Sequence, residues 1–274
     1  MKRLLVSNDD GIDSPALLPL LRALTPLGEV HCVVPDRQRS WIGAGVTRLD
    51  PVEIKRVERD GFLLHACTGT PADSVNIGLH SLLADGLRFD LLVSGINLGL
   101  NQGDAFISSS GTIGAAAEAV SSGLPAIATS LGPQPTDAGW TERLVDPARA
   151  KQWDDAAAVV ADVVRLTLES GLPSGADILN LNMPEGTTTA TPRRVTSVAR
   201  TAYDRLFHPL PENAARFQAQ FGVLRERRRA GEQLSDFEAL ARGIVSITPL
   251  RLAEAADVSE SWIEALESTG TPAR

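Results

Sequence analysis

Near the start of the chain, Ser7-Asn8-Asp9-Asp10-Gly11 follows directly on the apolar run Leu4-Leu5-Val6. Successive side chains of a regular strand point to opposite faces, so Asp9 and Asp10 serve one site only if the chain leaves strand geometry there, as Gly11 permits. Two carboxylates that converge need a cation. The same residues also suit a polar strand-to-helix turn in which Asx side chains bond their own backbone, and the pair alone does not separate the two readings.

Other loops decide between them. The segments Pro35-Asp36-Arg37-Gln38-Arg39-Ser40, Ser94-Gly95-Ile96-Asn97-Leu98-Gly99-Leu100-Asn101 and Ser108-Ser109-Ser110-Gly111-Thr112 each follow an apolar run or open a helix. In a parallel sheet they share one edge with Asp9 and Asp10. The Ser40 hydroxyl, the Asn97 amide oxygen and the two carboxylates form an all-oxygen set, suited to Mg²⁺, Mn²⁺ or Ca²⁺ rather than zinc. The four histidines, at 31, 65, 80 and 208, show no ligand spacing. Ser110-Gly111-Thr112 at a helix start offers free N–H groups and the positive end of the helix dipole, equipment for a phosphate; plain N-capping uses the same residues. A cation beside a phosphate cradle is the minimum for phosphoryl transfer to water.

The elements that must position these groups are legible as short apolar runs: Arg3 to Val6, Glu29 to Val34, Leu91 to Ser94, Pro125 to Thr129 and Ile178 to Leu181. Most are continuous rather than alternating, as in strands covered on both faces. Between them the sequence predicts helices: one capped by Ser14 with Pro15 at its first position and Leu17, Leu18, Leu21 and Leu24 on one side, then Pro71 to Leu83, Thr112 to Ser122 and Asp154 to Ser170. Val52 to Val57 and Phe62 to Ala66 read as a hairpin across Arg59-Asp60-Gly61. The expected fold is α/β, a Rossmann-like doubly wound and mostly parallel sheet, with ligands beyond the carboxyl ends of its strands.

After Pro184 the texture changes. Residues 1–185 read as a metal- and phosphate-binding core, and 186–274 as a carboxyl-terminal segment. Thr201 to Asp236 is polar, dotted with aromatics and weakly periodic, as in an extended arm. Arg225-Glu226-Arg227-Arg228-Arg229 reads as a solvated face. A last strand, Ile244 to Thr248, and a terminal amphipathic helix from about Ser259 to Ser268 return to the core.

Composition narrows the function. The 274 residues are 43% hydrophobic and 22% charged, enough to build a sizeable core. The formal net charge of -8 argues against a broad nucleic-acid groove. Only two cysteines occur, Cys32 and Cys67, neither in a metal-type spacing, which favours a reducing compartment. Met1-Lys2-Arg3 leads into no signal-type apolar region, and no apolar stretch approaches about 18 residues. A cytoplasmic protein with no membrane partner is expected. Lysine is confined to Lys2, Lys55 and Lys151, which restricts any mechanism that needs one.

Seven strings in order give these features a family. Residues 7–11 (SNDDG), 35–40 (PDRQRS), 69–75 (GTPADSV), 94–101 (SGINLGLN), 110–116 (SGTIGAA), 179–184 (LNLNMP) and 245–250 (VSITPL) resemble the SurE family of survival-protein nucleotidases. The resemblance implies a metal-dependent phosphatase acting on nucleoside 5′- and 3′-monophosphates, with polyphosphate trimming in some members. Carried over position by position, it implies Asp9, Asp10, Ser40 and Asn97 as ligands of one divalent cation per subunit. It gives Asn101, Ser110, Gly111 and Thr112 to the phosphate pocket, and makes Asp9 the acid nearest the chemistry. It also implies a homodimer or homotetramer that exchanges the carboxyl-terminal arm.

The chain departs from the commonest pattern at two positions. Trp41 stands where a small residue is usual, and Ser109 where a tyrosine is common, so the resemblance leaves the pocket mouth and base preference open while the metal ligands carry over. A haloacid-dehalogenase-type site would need Asp-x-Asp spacing and a later lysine. A dinucleotide fold would open with Gly-x-Gly-x-x-Gly, and a serine hydrolase with Gly-x-Ser-x-Gly; none fits. The rival of another class is a non-catalytic regulator that binds a metal and a nucleotide.

Overall fold

The apolar runs become the inner strands of one mixed sheet in the computed structural model, which describes residues 1–82, 87–133, 140–203, 205–219, 224–227, 233–252 and 259–260. The strands are β1 (Arg3–Ser7), β2 (Glu29–Pro35), β3 (Ile54–Arg59), β4 (Phe62–Cys67), β5 (Leu91–Leu98), β6 (Ala126–Gly132) and β7 (Ile178–Pro184). After them come β8 (Arg193–Val195), β9 (Thr201–Ala202), β10 (Phe207–Leu210), β11 (Asn213–Ala219), β12 (Arg225–Glu226) and β13 (Val245–Leu250). The helices are α1 (Leu17–Leu24), α2 (Pro71–Ile77), α3 (Gly103–Ser109), α4 (Gly111–Ser121), α5 (Trp140–Val145), α6 (Lys151–Ser170) and α7 (Asp236–Ala241).

Among the described residues the main sheet has nine strands in the order β3-β4-β2-β1-β5-β6-β7-β13-β8. β3 is antiparallel to β4 and β13 to β7, and the other neighbours run parallel. The chain winds outward from β1 through β2 and β4, then crosses to β5 and winds the other way. The reversal lies between β1 and β5, and ligands of such sheets bind outside the carboxyl ends at that point.

Both faces are covered, which explains the unbroken apolar runs. One face packs Leu4, Val6, Val93, Ile127 and Leu179 against α1 and α6, whose stripe of Trp153, Ala156, Ala157, Val160 and Val164 recurs at helical spacing. The other packs Leu5, Val33, Leu92, Ala126 and Ala128 against α2 and α4. α2 is fixed at its start by a reciprocal cap between Thr70 and Asp73, worth about 0.5–2 kcal/mol. α4 presents Ala115, Ala116 and Ala119 to the sheet, so its small side chains admit close packing.

Several expectations shift. α1 begins at Leu17, not at a Ser14 cap: the Leu17 N–H bonds the Ser14 carbonyl across a separate turn (3.1 Å), which leaves the hydroxyl without a capping role. Expected helix Pro71 to Leu83 is α-helical only to Ile77 and widens into a π turn over Gly78–Leu82; its last residue lies outside the described residues. α6 opens three residues early, at Lys151. In the hairpin, Arg59 pairs directly with Phe62, so the turn is Asp60-Gly61 with φ +48° and +78°. That is the two-residue geometry whose twist matches the strands. α3 and α5 were not expected; both are short, and α3 opens on a glycine. Most of the expected Ser259 to Ser268 helix lies outside the described residues, as do Arg228 and Arg229.

The carboxyl-terminal segment splits its loyalties. β13 inserts beside β7, and β8 lines its other edge. β9 pairs with β12, and β10 with β11, in two small separate sheets.

The loop after β2 is seated on α4. Gly43 N–H bonds Ser109 O (2.9 Å), and a Cβ placed on Gly114 would lie 2.1 Å from Gly43 O. Gly114→Ala raises intrinsic helix propensity by about 1 kcal/mol, but overpacking against backbone costs about 1–3 kcal/mol, and the clash wins. The variant is expected to melt several degrees below wild type; an unchanged or higher melting temperature in thermal denaturation would show that the loop is not seated this way.

Candidate active site

The acidic turn leaves β1 with its Asx chemistry already assigned. Asn8 Nδ2 donates to Gly11 O (3.1 Å) and Asn8 Oδ1 accepts from Gly11 N–H (3.0 Å), while Gly11 takes φ +86°. Asn8 therefore closes the turn, and both aspartates are spared that duty. Two backbone bonds stitch the turn to the loop after β2: Ile12 N–H to Pro35 O (2.9 Å) and Arg39 N–H to Asp9 O (2.7 Å).

Each carboxylate is oriented by one principal donor. Thr112 Oγ1 donates to Asp9 Oδ1 at 2.7 Å, and Leu98 N–H donates to Asp10 Oδ2 at 2.9 Å. Gln38 Nε2 lies 3.5 Å from Asp10 Oδ1. Asp9 is 4% exposed, and among the described residues neither acid forms an ion pair. Asp10 is half-buried beside it, and two adjacent carboxylates withdrawn from water without a cationic partner are costly. Burial pushes Asp9 up to about 6, outweighing its hydrogen bonds from Thr112, and raises Asp10 well above the usual carboxylate range, with the charge of Asp9 adding to the rise.

The start of α4 is built around Asp9. Ser110 caps the helix by accepting from Ile113 N–H at 3.1 Å. A Cβ on Gly111 would stand 2.8 Å from Asp9 Cβ, so only glycine lets the helix come this close. The positive helix end thereby faces the carboxylate.

Behind Asp9 runs a chain of neutral amides and hydroxyls. Thr112 has one proton and spends it on Asp9, so at 3.2 Å it must accept from Asn101 Nδ2, which also donates to Ser130 Oγ at 3.0 Å. Asn101 is held by β7: its N–H donates to Asn182 Oδ1 (2.8 Å), and its carbonyl accepts from Asn180 (2.8 Å) and Asn182 (3.2 Å). The sequence carried a signal for this support in Ile178-Leu-Asn-Leu-Asn-Met183, which puts two amides on one face of a buried strand. Neither had been given a role.

β5 supplies the remaining oxygen. One extra residue between Ser94 and Asn97 breaks its register with β6, and such bulges re-aim side chains beside active sites. Asn97 Nδ2 donates to Gly99 O (2.9 Å), leaving Oδ1 as the atom available to a ligand.

Asp9, Asp10, Ser40, Asn97, Asn101 and Ser110 line one cavity of about 660 Å³, joined by Asp13, Ser14, Trp41, Phe106 and others. Ser40 is exposed on its loop. Gly111 and Thr112 stand behind Asp9 and are not part of the wall. The oxygen-only donor set of Asp9, Asp10, Asn97 and Ser40 suits a hard divalent cation. Among the described residues no group of three or more His, Cys, Asp or Glu offers a different metal site.

Comparison with known proteins follows the same lines. Residues 4–205 match the family described as survival protein SurE. The chain is 38% identical over 251 residues to the 5′-nucleotidase SurE of Methanocella arvoryzae, covering 91% of this chain and 92% of that one. To that of Archaeoglobus fulgidus it is 36% identical over 271 residues, covering 97% and 98%. The crystal structure of the SurE protein from Aquifex aeolicus superposes with a TM-score of 0.74 at 29% identity, covering 97% of this chain and 99% of that one.

The buried acids have a measurable stability signature. Asp9 titrates near 6 when folded against 3.8 in its ordinary state, so the folded chain keeps a proton that the unfolded chain has released. In chelator, Asp9's contribution to stability therefore falls as pH rises from about 4 to about 6 and levels off above, a loss of roughly 3 kcal/mol. Asp9→Asn, which keeps an acceptor for Thr112, is expected to resist denaturant better than wild type at pH 8 by up to that amount. The advantage should vanish near pH 4. Equal midpoints at pH 8 would contradict the assignment.

Proposed function

The chain belongs to the SurE family, and from that membership we propose that it is a 5′-nucleotidase that hydrolyses nucleoside monophosphates with one divalent cation per subunit, Mg²⁺ or Mn²⁺, whose ligands also accept Ca²⁺. The observation that carries the reading is the pair Asp9 and Asp10, one buried and one half-buried, adjacent on one cavity wall and in no ion pair with a cationic side chain among the described residues. Such a pair is stabilised when a cation enters and costs stability otherwise.

Asp9, Asp10, Ser40 and Asn97 would hold the cation. When bound, it supplies positive charge that polarises a phosphoryl oxygen and acidifies a water. The chain's own groups do the rest. Thr112 and Leu98 N–H fix the two carboxylates before substrate arrives, so little reorganisation is needed during reaction. Ser110 Oγ accepts from Ile113 N–H and keeps its own proton for a phosphate oxygen. Asn101, with its amide held by Thr112 and Ser130, borders the phosphate position, with Gly111 and Thr112 behind. Asp9 is the acid nearest that position.

The same chemistry extends to 3′-monophosphates and polyphosphate. We assign subunit exchange, in a dimer or tetramer, to the arm within residues 201–236, where β10 and β11 carry exposed Phe207 and Phe217. Among the described residues no helix is long and apolar enough to cross a membrane, and Cys32 and Cys67 are buried thiols, in keeping with a cytoplasmic site of action.

Phosphate release from nucleoside 5′- and 3′-monophosphates, polyphosphate and an aryl phosphate tests the reading. Release is expected with Mg²⁺ or Mn²⁺, loss with chelator, and a fall of at least a hundredfold in Asp9→Asn with unchanged circular dichroism. Nucleotide binding without release would favour the regulator instead. A cation should also raise the melting temperature more at pH 8 than at pH 5, because protonation of Asp9 near 6 competes with it. Light scattering on Phe207→Asp should report a smaller assembly than wild type.

A further inference from the structure

We propose that Trp41 is a shelf on which the planar base of the substrate stacks, so that the cavity selects aromatic phosphate esters over aliphatic ones of the same charge. The inference rests on the nucleotidase reading above. It starts from where Trp41 stands: next to Ser40, on the wall of the cavity that holds Asp9, Asp10 and Asn97. At 38% exposure it is a large apolar ring at the mouth of a polar site.

Its backbone is unusual for a bulky residue. Trp41 has φ +61°, a left-handed conformation rarely adopted by large side chains and often found at ligand sites. The loop enforces it on either side: Arg39 N–H is bonded to Asp9 O, and Gly43 N–H to Ser109 O. The ring is thus set by the same contacts that set the acids.

Two more rings fix its orientation. Phe106, also on the cavity wall, meets Trp41 at 5.5 Å between centroids and 79°, and Tyr203 meets it at 6.2 Å and 75°. Both are edge-type contacts at near-right angles, and they hold the ring in place. Phe106 rides on α3. Tyr203 follows Thr201, whose N–H and hydroxyl both donate to Asp104 of α3 (2.8 and 2.9 Å). With Leu100, Pro133 and Val145, Trp41 and Phe106 give the cavity an apolar share that an inorganic phosphate would leave unused. Its volume, about 660 Å³, lies within the range of small-molecule sites, and an anionic ligand with a flat apolar body answers both parts of the wall.

The test compares AMP with glycerol 2-phosphate. Removing one aromatic stacking partner costs on the order of tenfold in affinity or more, so Trp41→Ala should lower the ratio of kcat/KM for AMP over glycerol 2-phosphate about tenfold, mainly through KM, and Trp41→Phe should restore most of it. A loop disturbed for other reasons lowers both substrates together; an unchanged ratio overturns the shelf while leaving the nucleotidase reading standing. A binding readout stands apart from turnover: AMP should quench the tryptophan emission of wild type and not that of Trp41→Phe. Equal quenching in the two overturns the shelf even if no phosphate is released from any ester, an outcome that would sink the nucleotidase reading by itself.

Discussion

A negative charge buried without a positive side chain is the constraint to which this architecture answers. Asp9 could be tolerated cheaply if a lysine or arginine stood beside it, but that would also consume the charge the site has to offer. The chain instead surrounds the carboxylate with dipoles: the Thr112 hydroxyl, the amino end of α4, and behind them the amides of Asn101, Asn180 and Asn182. Dipoles of this kind orient the group without neutralising it. The cost appears as a raised proton affinity, and the surplus negative potential is what the proposed cation would meet.

The sheet makes that arrangement possible. A reversal in strand order between β1 and β5 sets a crevice beyond their carboxyl ends, where the turn after β1 brings Asp9 and Asp10 and the end of β5 brings Asn97. β7 lies two strands from β5, yet its asparagines reach the same place through their hydrogen bonds to Asn101. Polar side chains on the α4 side of β6, β7 and β13, among them Ser130, Asn180, Asn182, Ser246 and Thr248, extend this support across the buried surface. Such a stripe would be a defect in an ordinary core; here Asn180 and Asn182 donate to Asn101, and Ser246 and Thr248 share hydrogen bonds with Thr196.

What could be read in the residues beforehand was the chemistry of the wall. Asp9 and Asp10 fit a plain polar turn as well as a cation site when taken alone, and the balance tips only with Ser40, Asn97 and Ser110, which follow from the one edge that a parallel sheet shares. The strands were legible for the same reason, as runs too apolar for any half-exposed position. What stayed hidden depends on contacts between residues far apart. Thr112 reads as an ordinary first-turn residue until its partner 103 positions away is known, and Asn180 and Asn182 look like strand irregularities until Asn101 is placed on them. Ser14 misleads for the opposite reason: it sits where a cap belongs, but successive turns from Gly11 hand its role to its own carbonyl. Short α3, defined by tertiary bonds to Thr201 and Asp236, has no period long enough to find.

Those bonds to α3 bear on the order in which a growing polypeptide becomes an active one. Asp236 accepts from Gly103 N–H across 133 residues and from Ala199 N–H as well, so the helix that follows Asn101 is latched by a carboxylate near the far end of the chain. At ribosomal speeds of about 5–20 residues per second, the latch is synthesised roughly 7–27 s after the segment it secures. The acids emerge first and their cavity is finished last. A nascent chain therefore carries its charged residues through most of translation without the geometry that would let them act together.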